Sequence, residues 1–197
     1  LAKLLTEAAE AYYLGDAPTM SDAAFDRLKD ELEGLDPGHP FLSTVGAPVT
    51  NSKLTKVAHE IPMGSLRKIR ADKSDKEYAT WLGSISGVAG KNPLFAVGWK
   101  LDGSSIELVY KAGKFVQAIT RGDGTVGEDV TVAITKAQGF PKTLSQPLNI
   151  SVRAEALFTL PDWNSKLSSL GANPRNCAAG TVSRDDGENA EHLHCVA

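Results

Sequence analysis

The run Trp99-Lys100-Leu101-Asp102-Gly103, with Ile106-Glu107-Leu108-Val109-Tyr110 and Phe115 to Thr120 after it, decides the fold. Phe95–Leu101 has the apolar, β-branched and aromatic content of a strand. Ile106–Tyr110 and Phe115–Thr120 read as a hairpin around Ala112-Gly113, and Leu148–Phe158 as a further strand. Residues two apart on a strand share a side, so Lys100 and Asp102 project together. Gly103 leaves room where a ligand's ribose can approach. A lysine in such a place is a nucleophile once its amine has lost its proton, which burial and neighbouring cations favour. Alone, the tetrapeptide equally fits a surface lysine before an Asp-Gly turn.

Downstream, Thr120-Arg121-Gly122-Asp123-Gly124 precedes Gly127-Glu128-Asp129-Val130-Thr131. Glycines with an arginine and acids make a tight loop that reaches phosphate or ribose oxygens, although a hairpin turn with solvated charges also fits. Arg153 and Glu155, again two apart, share a strand face, either as cleft residues or as a surface ion pair.

The whole chain of 197 residues is 42% hydrophobic and 23% charged, a globular composition. No apolar run approaches the roughly 18–20 residues of a membrane span. A net charge of −3 gives no general attraction for nucleic acid. Two cysteines, Cys177 and Cys195, do not make a disulfide framework and point to a reducing, cytoplasmic setting, and no secretory segment opens the chain. The first residue is Leu1 and the last stretch lacks a closing element, so the chain reads as part of something longer.

Charge divides the N-terminal part. Residues 1–36 carry three bases and nine acids, and residues 37–99 eight bases and four acids. The acidic part reads as two helices. The first carries Leu1, Leu4, Leu5, Ala8 and Tyr12 at helical spacing up to Gly15, before a turn at Asp16-Ala17-Pro18. The second is capped by Ser21, striped by Phe25, Leu28, Leu32 and Leu35, and ended by Asp36-Pro37-Gly38. Pro40 to Ile61 reads as loop, Ser74–Leu82 as a third helix, and Gly83–Asn92 as a connecting stretch. Short helices are expected after Asn164 and after Asn176. His192, His194 and Cys195 lack the paired spacing of a zinc site and read as polar strand or loop, with no metal ligands.

These blocks, with Val152-Arg153-Ala154-Glu155 and Asn173-Pro174-Arg175-Asn176-Cys177-Ala178-Ala179-Gly180, resemble in order and spacing the adenylation domain of NAD-dependent DNA ligases. Tyr12 to Pro18 and Ser21 to Leu28 resemble that family's helical Ia module, and His59 to Leu66 its connecting segment. The resemblance implies an α+β chain. A small helical Ia module with its connecting segment (1–70) would precede a mainly antiparallel, ATP-grasp-like nucleotidyltransferase domain (71–197), truncated at its C-terminus. It implies that Lys100 attacks the α-phosphorus of NAD, forming a lysyl-adenylate and releasing nicotinamide mononucleotide. The cofactor-binding positions it implies begin with Ser65, Leu66, Gly98, Leu101, Asp102 and Gly103. Arg121 would hold adenylate oxygens, Glu155 the ribose, and Arg153 would be a supporting cation. Tyr12, Tyr13, Asp22, Phe25 and Asp26 would grip the nicotinamide half, with Phe25 also fitting a core position. Magnesium, nicked double-stranded DNA bound mostly by other parts, roles in replication and repair, and a monomeric state come with the same likeness.

The sequence departs from the family's pattern at four of its blocks. Gly98 stands where the family has glutamate, Phe25 where it has tyrosine, Tyr13 where it has histidine, and Ala154 replaces the glycine of Arg-Gly-Glu. A non-catalytic nucleotide-binding module, and an ATP-dependent ligase or capping enzyme, are the competing readings.

Overall fold

The computed structural model describes residues 1–14, 19–43, 53–66, 69, 75–90, 93–171 and 173–197, with Tyr12, Tyr13, Leu14, Asp22, Ser43 and Asp75 described by backbone alone. The helices are α1 (Ala2–Leu14), α2 (Asp22–Leu35), α3 (Pro40–Ser43), α4 (Asp75–Ala89), α5 (Thr131–Lys136), α6 (Leu160–Asp162) and α7 (Pro174–Val182). The strands are β1 (Lys56–Ala58), β2 (Ser104–Lys111), β3 (Lys114–Thr120), β4 (Val126–Glu128), β5 (Ile150–Phe158) and β6 (Leu193–Val196). They form a mixed α/β chain with antiparallel pairing throughout: a four-stranded sheet in the order β3-β2-β5-β6 and a two-stranded β1-β4 ribbon. The chain divides into two compact units. One joins Leu1–Met63 to Asp102–Ala197, and the other is Gly64–Leu101.

In the larger unit, period-two alternation sets the core. Ile106, Leu108 and Tyr110 of β2 are buried, as are Ala154, Ala156 and Phe158 of β5 and Leu193 and Cys195 of β6. Ala133 and Ile134 of α5, Ala178 and Val182 of α7, and Trp163 and Leu167 complete that cluster. The β2–β3 hairpin closes at Ala112-Gly113 as expected, with φ of +48° and +76°. Two successive left-handed residues give the turn a twist that matches its strands. A side chain at Gly113 would meet the Gln146 carbonyl oxygen at 2.5 Å. Val116 is the extra residue of a bulge where pairing shifts between Val109↔Gln117 and Tyr110↔Phe115.

The two N-terminal helices stand where the periodicity put them, and α1 packs on both α2 and α7. Leu5, Ala8 and Leu32 are buried, whereas Leu1, Leu4 and Leu35 of the expected stripes are exposed. Ser21 is the N-cap, its hydroxyl accepting the Ala24 amide at 3.3 Å. The turn at Gly15 to Pro18 lies outside the described residues.

Within the expected Pro40–Ile61 loop stand α3 and β1. His39 Nδ1 accepts the Phe41 amide, with Pro40 opening the helix, and β1 is held by distant β4, a partnership that local period cannot show. The strand expected at Leu148 starts at Ile150. After Thr159, whose hydroxyl caps α6, a π turn (Trp163–Leu167) and a 3-10 turn (Ser168–Leu170) replace the simple helix expected from Asn164. The next helix starts earlier than Asn176, because Asn173 caps it and Pro174 occupies its first turn.

In the smaller unit, α4 runs through Gly83 and Gly87 to Ala89, longer than the expected Ser74–Leu82. The Ser84 hydroxyl donates to the Trp81 carbonyl at 2.6 Å, and Gly90, at φ +85°, stops the helix. Tyr78, Trp81 and Phe95 form a chain of rings with 5.7 Å between neighbouring centroids. Phe95–Leu101 is not a strand. Residues 93–100 and Leu101 are irregular, with Val97 and Trp99 exposed, because pairing of this stretch of chain begins only at Ser104↔Ala156. Apolar alternation fitted a strand, but a strand also needs a neighbour along its edge.

Leu108 is 1% exposed at the sheet centre, so Leu108→Ala should lower unfolding free energy by about 2–5 kcal/mol. Val116→Ala, at the half-open bulge, should change it by less than about 1 kcal/mol. Urea denaturation followed by circular dichroism measures both, and equal losses would contradict the core assignment.

Candidate functional site

The sheet face opposite the core is polar. Ser105 and Glu107 of β2 alternate with the buried apolar residues, and Arg153 and Glu155 of β5 do the same. Register pairs Ser105 with Glu155 and Glu107 with Arg153, which brings these four side chains onto one surface. Glu155 is fixed by two donors: the Gly103 amide reaches Oε1 at 3.0 Å, and the Ser105 hydroxyl reaches Oε2 at 2.7 Å. Its remaining lone pairs are positioned rather than swinging. Arg153 Nη2 donates to the Pro62 carbonyl at 2.5 Å, fastening the segment after β1 to this face.

The loop between β3 and β4 borders the same face. The Arg121 amide donates to the Ser105 carbonyl at 3.1 Å, so Arg121 departs from the sheet beside Glu155's partner. Asp123 is used inside the loop: Oδ1 accepts the amides of Thr125 and Val126 and the Thr125 hydroxyl. The Val126 amide, then the Thr125 hydroxyl and amide, hold its carboxyl below the ordinary range. The Met63 amide donates to the Gly124 carbonyl and the His59 amide to the Thr125 carbonyl, so the segment His59–Met63 braces the loop. His59 is buried against Glu107, Nδ1 to Oε2 at 2.5 Å.

Of the residues singled out in the sequence, Asp102, Gly103, Arg121, Arg153 and Glu155 lie in the larger unit, together with Phe25 and Asp26 on α2. Asp102 pairs with Arg175 of α7, Oδ1 to Nε at 2.7 Å. Gly103 has a packing reason to be glycine: a Cβ there would sit 2.4 Å from the Ala156 carbonyl oxygen. Phe25 is half-buried, its ring 6.3 Å from that of Phe41, which is half-buried too. The side chains of Tyr12, Tyr13 and Asp22 lie outside the described residues. Ser65, Leu66, Gly98, Lys100 and Leu101 belong to the smaller unit, where all five are exposed. A Cβ on Gly98 would meet nothing within 4 Å, so packing does not require glycine there. Ala154 faces the core, so this departure from the family pattern leaves the polar face untouched.

Sequence reasoning did not single out Ser105, Glu107, His59 or Arg175 as site residues. Glu107 carried a readable signal, an acid inside the apolar strand Ile106–Tyr110, which needs a buried partner. Arg175 lay inside a quoted block, one residue after the helix-opening Asn173-Pro174. Cys177 and Cys195 are free; Cys195 is part of the core, and burial pushes its thiol up to about 11.

A mixed α/β chain with antiparallel sheets, in which Lys-Leu-Asp-Gly precedes β2 in sequence, is consistent with a nucleotidyltransferase adenylation domain. The family model described as the NAD-dependent DNA ligase adenylation domain matches residues 51–195, and the one described as the DNA ligase-like, N-terminal NAD+-binding domain matches residues 1–51. The chain belongs to the NAD-dependent DNA ligase family. A DNA ligase of Sorangium cellulosum is 41% identical over 98% of this chain and 31% of its own length. One of Treponema pallidum is 37% identical over 100% of the chain and 24% of its own, and one of Lacticaseibacillus casei 36% over 94% and 29%. The chain thus spans about a third or less of these relatives. Among the described residues no helix is long and apolar enough to cross a membrane.

Because Asp123 is lowered in the folded loop, its contribution is present above the ordinary value of 3.8 and is lost as pH falls through the lowered one. Amide exchange should show protection factors at Thr125 and Val126 collapsing below about pH 3.8, and Asp123→Ala should give the same loss at pH 7. Unchanged protection in that variant would remove the carboxylate from the loop's support.

Proposed function

We propose that this chain carries the self-adenylation part of an NAD-dependent DNA ligase, with Lys100 as the nucleophile. Its Nζ forms a bond to the α-phosphorus of NAD. The bond from that phosphorus to the bridging diphosphate oxygen breaks, nicotinamide mononucleotide leaves with the electron pair, and the proton from nitrogen passes to solvent. Arg121 takes adenylate oxygens, and Glu155 accepts from the ribose hydroxyls with its orientation set by Gly103 and Ser105. Asp102, Gly103, Leu101, Gly98, Ser65 and Leu66 border the nucleotide, and Arg153 adds positive charge. Tyr12, Tyr13, Asp22, Phe25 and Asp26 take the nicotinamide half. In this reading residues 1–70 act as the Ia module and residues 71–197 as an ATP-grasp-like transferase domain. The observation that supports it most is the pinned Glu155 carboxylate beside the Arg121 backbone, on the block that follows the lysine motif.

Magnesium, in this reading, would enter with NAD and offset the negative charge of its phosphates, and such an ion needs only one or two protein oxygens. Sealing of nicked duplex DNA belongs to the whole protein and draws on parts beyond the chain's share of its relatives.

Intact-protein mass after incubation with NAD and magnesium tests the proposal. An adenylate adduct should appear on Lys100, vanish in Lys100→Ala with circular dichroism unchanged, and fail to form on deleting residues 1–36. Binding of NAD without an adduct would replace the enzyme by a nucleotide-binding module, and equal labelling by ATP would favour an ATP-dependent transferase. Gly98→Glu, which packing permits, should lower the NAD concentration needed for half-maximal labelling several-fold if the missing carboxylate weakens adenine binding.

A further inference from the structure

Beneath the polar face lies a buried pair that the chemistry above does not use. His59 follows β1 and Glu107 is in the middle of β2, and their side chains are 0% and 4% exposed. Nδ1 of His59 faces Oε2 of Glu107, while Nε2 lies 3.1 Å from the Thr120 carbonyl oxygen and 3.2 Å from that of Arg121. Carbonyl oxygens only accept, so Nε2 must carry a hydrogen. The Nδ1 contact then needs one more hydrogen, carried either by the ring, as imidazolium and carboxylate, or by the carboxyl, as a neutral pair.

Arg153 stands directly opposite Glu107 on β5, and side chains so placed lie about 5 Å apart at Cβ on one face, while Ile119 of β3 stands opposite on the other side. Asp123 belongs to the loop whose Thr125 carbonyl accepts the His59 amide, and its Oδ1 accepts the Thr125 hydroxyl. The ring is thus tied to this loop by its backbone as well as by Nε2.

We propose that His59 is a positioning residue. Oriented by Glu107 at Nδ1, it donates from Nε2 to the carbonyl oxygens of Thr120 and Arg121 and fixes the backbone from which the Arg121 side chain departs. Its bearing on catalysis rests on the role given to Arg121 above. The position of the ring and its proton do not. Two consecutive peptide bonds whose carbonyls face the ring, with the Arg121 amide bound to the Ser105 carbonyl, leave the arginine few directions to take.

Long-range nitrogen-15 NMR of the 197-residue chain reads the ring directly. Nε2 of His59 should carry a hydrogen, and should keep it in Glu107→Gln, which keeps the volume. An Nε2 without hydrogen overturns the proposal. In His59→Gln, amide exchange at Arg121 and Gly124 should accelerate at least tenfold, and that at Val130, which donates to Ala118, by less than threefold. Uniform acceleration would mark a merely structural residue. Adduct formation separates the two levels. If His59 acts through Arg121, the double variant His59→Gln/Arg121→Ala should label within twofold of Arg121→Ala alone, whereas multiplied losses refute the coupling. Should the wild type form no adduct with NAD, the functional reading fails, while the ring and exchange measurements still decide the positioning role.

Discussion

Glu155 faces Ser105, and Arg153 faces Glu107, because β2 and β5 hold a single antiparallel register from Ser104↔Ala156 to Tyr110↔Ile150. That register does two things at once. It sends Ile106, Leu108 and Tyr110 with Ala154, Ala156 and Phe158 into the core, and it gathers the polar residues on the other side. A slip of β5 by one residue would exchange its faces, burying Arg153 and Glu155 and exposing Ala154, Ala156 and Phe158. The penalty for burying unpaired charges makes that slip unfavourable. The apolar core is therefore also the device that aligns the polar face, and His59, Pro62, Met63 and the loop after β3 are fastened onto a surface already defined by it.

Much of this was legible from residues alone, where the determinants are local. The hairpin at Ala112-Gly113, the Ser21 cap and the shared face of Arg153 and Glu155 follow from turn chemistry, capping and a period of two. What escaped had distant causes. β1 exists because β4 pairs with it, and the His59–Glu107 contact joins residues 48 apart in the chain. Phe95–Leu101 shows the reverse error: a strand-like pattern without a neighbouring edge stays irregular. The helix α4 outran its expected end, running through Gly83 and Gly87 to stop at Gly90, whose φ is left-handed.

Family membership and structure bear on different parts of the reading. The matched families cover the chain from residue 1 to 195 and account for the order of its motifs. The structure explains which departures matter. Ala154 lies on the core side, and its methyl group contributes to packing. Gly98 stands in open space, so packing does not account for glycine there. Gly103 is required by the Ala156 carbonyl whether or not a nucleotide is bound.

The tight turn joining β2 to β3 carries a methyl group where none is comfortable. Ala112 adopts a left-handed φ of +48°, which is disfavoured for an L-residue by about 1–2 kcal/mol. Its amide is nevertheless tied to Asn149 Oδ1 at 2.7 Å, and Gly113 has no room to take over the strain. The hairpin thus keeps a latent margin of stability at a position that is not among the residues assigned to chemistry, one that thermostabilised versions of this scaffold can claim by asparagine or glycine at that single site.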